Sequence, residues 1–127
     1  MRADCHMHTY FSGDSEAKPE DMVLAAIDKG LEAICFTDHE DIDYFCDDIE
    51  FVFDPETYFK ELGALKEKYK EKLDIRIGVE FGLQPHLAKK AKAFTVANPY
   101  DFVIGSMHVV GGKDPYYPEF FEGISDE

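Results

Sequence analysis

The 127 residues carry a formal charge of −14 and are 45% hydrophobic and 31% charged, the balance of one globular domain rather than of a disordered chain. So acidic a surface repels a phosphate backbone and excludes generic nucleic-acid binding, and the sequence has no apolar run of about 18 residues for a membrane span. Three cysteines, Cys5, Cys35 and Cys46, form no even set and no CxxC pair; with a start, Met1–His6, that lacks the apolar stretch of a signal peptide, they read as reduced thiols of a cytoplasmic protein.

Along the chain, short apolar runs alternate with amphipathic ones. A first strand is predicted over Ala3–Thr9, resting mainly on its alternation. A first helix follows from Pro19, a residue suited to the first helical position, and stops at Gly30, with Met22, Val23, Ala26 and Ile27 on one face. The second strand is Ala33–Thr37. The connection Glu40–Phe53 is long, acidic and aromatic, and reads equally as a substrate loop or as a flap packed on the next helix. That helix opens at Asp54-Pro55, an N-cap and first-turn proline, and carries an apolar stripe of Tyr58, Leu62, Leu65 and Tyr69. A third strand over Ile75–Phe81 leads to a helix from Pro85 to about Asn98-Pro99, with Leu87, Ala91 and Phe94 inward. The fourth strand is Phe102–His108. Strand–helix alternation of this kind implies βαβ units and a parallel sheet.

Chemistry-bearing residues gather at one end of these strands. His6 and His8 are separated by one residue, so on a strand they share a face while Cys5 and Met7 face the other way. The second strand ends in Thr37-Asp38-His39, the third in Gly78-Val79-Glu80 and the fourth in Gly105-Ser106-Met107-His108. Each strand thus places a ligand-type residue at its C-terminal end, the end where parallel α/β barrels build their active sites. Imidazole with carboxylate and no thiolate pattern suits zinc, manganese or iron better than calcium. A carboxylate such as Glu80 has two oxygens and can bridge two ions.

His6-Met7-His8, Thr37-Asp38-His39, Gly78-Val79-Glu80 and Gly105-Ser106-Met107-His108 resemble, in order and spacing, the first motifs of the polymerase-and-histidinol-phosphatase (PHP) family. The stretch from His108-Val109-Val110 to Lys113-Asp114-Pro115-Tyr116-Tyr117-Pro118 resembles its histidinol-phosphatase branch. The resemblance implies the N-terminal half of a distorted TIM-like β/α barrel, with residues 1–127 a partial phosphoesterase domain and up to three metals in the complete site. On that resemblance His6 and His8 bind a first ion, Glu80 bridges it to a second that His108 also binds, and His39 joins a third together with Asp14. Glu80 and Asp38 are its catalytic groups, Asp38 acting through the ligands beside it rather than on an ion. His86 reads as an exposed or capping histidine more readily than as a substrate contact. The implied activity is hydrolysis of a small phosphate monoester, L-histidinol phosphate, in histidine biosynthesis.

A full barrel of this type takes roughly 250 residues, and the family's later histidine and histidine–aspartate motifs have no counterpart here. The chain's last residues, Ser125-Asp126-Glu127, read like an N-cap. A half-barrel exposes both sheet edges, so pairing with a second copy or with a C-terminal half is expected. No basic side chain is assigned to the phosphate; Arg2 and Arg76 are the only arginines. Three rival readings stand beside this one: a metal-dependent amidohydrolase, since Asp4–His8 fits that opening too; a nuclease or polymerase-associated member of the same family; and a metal-binding half-barrel without turnover.

Overall fold

The computed structural model describes residues 1–45 and 50–123. Cys46 and the terminal Ser125-Asp126-Glu127 lie outside them, as does part of the 40–53 connection. Strands β1 (Ala3–Met7), β2 (Ala33–Phe36), β3 (His39–Glu40), β4 (Asp74–Gly82) and β5 (Phe102–Ser106) form one sheet, and helices α1 (Pro19–Asp28), α2 (Pro55–Tyr69) and α3 (Ala88–Ala97) connect them. Every strand pairing is parallel. β2 pairs with Asp74–Ile77 of β4, and β3 pairs with Glu80–Phe81 of the same strand, so β3 continues β2 after a break at Thr37-Asp38. β5 pairs with Gly78–Gly82 of β4, and β1 lies against β2. The result is an α/β half-barrel.

Local signals explain the helix ends. Asp54 accepts a hydrogen bond from Thr57 N at 2.9 Å and Pro55 opens α2, which satisfies a donor the helix cannot satisfy itself. Gly30, just past α1, has φ +67, a conformation glycine adopts without a Cβ penalty. The third helix begins differently from the sequence expectation: Pro85–Leu87 is a separate 3-10 turn and α3 starts at Ala88. No side chain of α3 is fully buried.

The core lies between the sheet and α1 and α2. Val23 and Ala26 from α1, and Tyr58, Leu62 and Leu65 from α2, pack against Ile34, Phe36, Ile75 and Ile77. Tyr58 and Leu62 are fully buried, each worth roughly 2–3 kcal/mol of apolar transfer. The Tyr58 hydroxyl reaches through this core, donating to Gly78 O at 3.1 Å and accepting from Asp38 N at 3.4 Å. Gly78 admits the close approach of β5, since a Cβ there would stand 2.7 Å from Phe102 O. The outer strands differ: residues 3–6 of β1 are exposed, and Phe102 and Val103 of β5 keep 47% and 42% of their surface. Both edges of the sheet are therefore open.

Candidate metal centre

The strand ends bring His6, His8, Asp14, His39, Glu80 and His108 into one cluster at the C-terminal edge of the sheet. Alternation on β1 turns His6 and His8 to the same side, where their Nε2 atoms lie 2.7 and 2.9 Å from one oxygen of Glu80. The same two nitrogens are 3.1 Å apart. The other oxygen of Glu80 meets His108 Nε2 at 3.1 Å and accepts from Ser106 Oγ at 2.6 Å. Asp14, from the turn after β1, lies 3.2 Å from His8 Nδ1 and 3.4 Å from His39 Nε2. Three donor groups result, His6–His8–Glu80, His8–Asp14–His39 and His39–Glu80–His108, each with its atoms within 4.8 Å of one another.

Their electrostatics follow from this crowding. Burial alone would raise the Glu80 carboxyl, but hydrogen bonds from His108, His8, Ser106 and His6 outweigh it and hold the group far below the usual range. Asp41 and Glu80 together push the His108 imidazole up to about 10. His8 is raised as well, chiefly by Glu80, against the opposing effect of burial.

Asp38 does not join the cluster. It is fully buried, and its Oδ1 accepts from Thr9 N at 2.5 Å, Thr9 Oγ1 at 3.0 Å and Ser12 Oγ at 2.9 Å. Ser12 Oγ in turn accepts from His39 N at 2.9 Å. Asp38 thus fastens the 9–12 turn, and with it the approach to Asp14, onto the strand end that carries His39. Burial raises its carboxyl, and the bonds from Thr9 and Ser12 only partly offset that.

His86 stands apart, exposed and 3.0 Å from Asp43 Oδ2. Arg76 is held by Asp74 at 2.8 Å on the far part of β4. Neither arginine lies among the described residues around the cluster.

Asp41 is the residue the sequence reading passed over. Its carboxylate is 2.8 Å from His108 Nδ1 and 3.3 Å from His39 Nδ1, and both histidines hold it in the charged form against the cost of burial. A carboxylate on the remote nitrogen of a ligand histidine fixes the ring and its tautomer. The alternation argument that paired His6 with His8 also pairs His39 with Asp41, and Ser106 with His108, two residues on. Gly82 makes room for Asp41: a Cβ built there overlaps Asp41 Oδ1 and lies 2.9 Å from its Cγ.

The donor set fits divalent transition metals. Two imidazole nitrogens and a carboxylate oxygen converge at about hydrogen-bond distance, a set of lone pairs that could hold a divalent cation. His39 Nδ1 is buried with no hydrogen bond of good geometry, its nearest partner being the Asp41 carboxylate at 3.3 Å.

Known proteins share the sequence and fold over most of this chain. Histidinol-phosphatase of Lactococcus lactis is 37% identical over 115 residues, which are 91% of this chain and 42% of that protein. The crystal structure of the histidinol phosphate phosphatase from Lactococcus lactis, complexed with zinc, L-histidinol and phosphate, superposes with a TM-score of 0.84 over 89% of this chain and 42% of that one. A solved structure from Listeria monocytogenes, 23% identical, has a TM-score of 0.77 over 86% of this chain and 46% of that one, a likeness of fold. The chain spans less than half the length of each of these proteins. The family model described as PHP domain matches residues 4–126, and a parallel half-barrel with imidazole and carboxylate donors at its strand ends places the chain in the PHP domain family.

Proposed function

We propose that residues 1–127 form a partial PHP phosphoesterase domain whose metal cluster serves hydrolysis of a phosphate monoester, L-histidinol phosphate. The observation that carries this reading is the convergence of three donor triads on Glu80, His8 and His39 at one edge of the sheet. His6 and His8 would hold one ion with Glu80, Glu80 would reach a second together with His108, and His39 and Asp14 would hold a third. Zinc, manganese or iron suits these donors. When bound, such ions supply Lewis acidity toward a phosphoryl oxygen and lower the pKa of water.

The chain's own residues orient and neutralise. Glu80 offers one oxygen to each side of the cluster and accepts from Ser106, which fixes its plane. Asp41 sets the rings of His39 and His108. Asp38 holds the turn that delivers Asp14. When bound, the ions would meet part of the charge developing on the phosphate.

The setting proposed is the cytoplasm, in histidine biosynthesis, consistent with unpaired Cys5 and Cys35. Among the described residues no helix is long and apolar enough to cross a membrane. The open edges at β1 and β5 favour completion by a second copy or by a C-terminal half. They also support a second reading, a metal-loaded half-barrel without turnover.

The deciding experiment is metal analysis of the unchelated chain followed by release of phosphate from L-histidinol phosphate. Two or three ions per chain with turnover support the phosphatase. Two or three ions without turnover on any phosphate ester support the second reading. About one ion or none removes both.

A further inference from the structure

We propose that a second copy of this chain closes the half-barrel, with β5 of each copy paired to β1 of the other around a two-fold axis. This deepens the metal-cluster reading by naming what covers the cluster on its open side, and it rests on the half-barrel rather than on turnover. β3 continues β2, so four strand positions lie side by side, with β1 and β5 outermost. Two copies supply eight, the number at which a parallel β/α barrel closes. An axis along the barrel keeps every strand parallel. It makes the same β5–β1 contact twice, so the assembly closes on itself instead of growing.

The open surface is large enough for such a partner. A compact chain of 14.5 kDa exposes about 6,900 Å², whereas this one exposes 8196 Å². The excess of about 1,300 Å² is more than the roughly 800 Å² that each partner gives to a specific interface. Parallel strands are rarely left uncovered. Here residues 3–6 of β1 are exposed, as are Phe102 and Val103 of β5 and Met107 just beyond it. The metal cluster is open at the same edge. The His6 side chain on β1 keeps 53% of its surface, against 5% for Glu80. Pairing β1 with the partner's β5 sets the C-terminal end of that strand beside His6 and covers it.

The test is sedimentation equilibrium of the chain with and without zinc, at low and high salt. A mass of twice 14.5 kDa is expected. Each copy carries −14, so charge opposes association, and added salt or zinc should tighten it. A second measurement locates the contact. Cys5 is an exposed thiol on β1. In a Cys46→Ser background, Val103→Cys treated with a short bismaleimide should yield covalent dimers through the partner's Cys5. Adding Cys5→Ser should abolish them, and Ala93→Cys on α3 should form none. Val103→Lys puts a charge on the β5 edge and should leave a single chain that still melts cooperatively. A single-chain mass in every condition would overturn the proposal and assign the edges to a C-terminal half. An open series of larger species, or cross-linking that persists without Cys5, would also overturn it. A single chain that releases phosphate from L-histidinol phosphate would remove this proposal and keep the phosphatase reading, and a dimer without turnover would do the reverse.

Discussion

Gly82→Ala tests whether Asp41 organises the metal centre. The added methyl would overlap Asp41 Oδ1, with Asp41 Cγ at 2.9 Å and its Cα at 3.4 Å. Asp41 cannot simply swing aside. It is buried, its N–H donates to Phe51 O at 2.6 Å, and its carboxylate sits between His39 and His108. Either the carboxylate leaves the two histidines or β4 and β3 separate. Overpacking of this kind costs about 1–3 kcal/mol, and losing the partner of a ligand histidine lowers metal affinity by roughly 10- to 100-fold. Competition with a chromophoric zinc chelator measures the second effect, and thermal melting of the metal-free chain the first. Gly63→Ala is the control. It stands in the interior of α2 with nothing within 4 Å of its added Cβ, so it should gain about 0.5–1 kcal/mol of stability. Zinc affinity in Gly82→Ala within about twofold of wild type would refute the role given to Asp41, since that role requires a loss of roughly 10-fold or more.

Tyr58→Phe leaves Gly78 O and Asp38 N without their buried hydroxyl, and a loss of about 1–3 kcal/mol is expected by urea titration; an unchanged midpoint would show that the hydroxyl contributes nothing. Burial raises the Glu40 carboxyl to about 7, with Asp41 adding to the shift. A raised acid contributes stability that is complete below its unfolded pKa and is lost as pH rises through the folded one. Glu40→Gln should therefore match wild type near pH 4 and exceed it by about 2–3 kcal/mol near pH 8; equal stability at both pH values would contradict this. In the metal-free chain His108 is raised to about 10, first by Asp41 and then by Glu80. Its contribution is complete below its unfolded value and fades as pH rises toward about 10. Since a metal binds the neutral ring, zinc binding at pH 7 should release protons and tighten with rising pH; calorimetry in buffers of different ionisation enthalpy would expose a proton count of zero.

Much of the fold was legible because its signals are local. Pro19, Asp54-Pro55 and Gly30 act on backbone groups within a turn of themselves, and the observed helices begin and end beside them. Strand alternation put His6 and His8 on one face, and the C-terminal ends of the strands placed His39, Glu80 and His108 together. The boundaries were less secure. The second strand breaks at Thr37-Asp38, because Asp38 gives its carboxylate to Thr9 and Ser12 on a distant turn. No periodicity within residues 33–40 contains that partner.

The sequence by itself determined the strand–helix alternation and put His6, His8, His39, Glu80 and His108 at strand ends, since alternation and caps follow from the chain's own stereochemistry. The half-barrel, the family and Asp14 came from the resemblance of its motifs. Only the tertiary structure decided what surrounds those donors. Asp41 became a clamp on two histidines because the absent side chain of Gly82 lets it approach. Glu40 became a buried acid beneath Phe53, whose N–H it accepts at 3.2 Å. Tyr44 and Asp114 met across 70 residues to close one side of a pocket. Each of these depends on the distance between atoms from separate elements, and that distance is set by packing of the whole sheet rather than by any local run of residues.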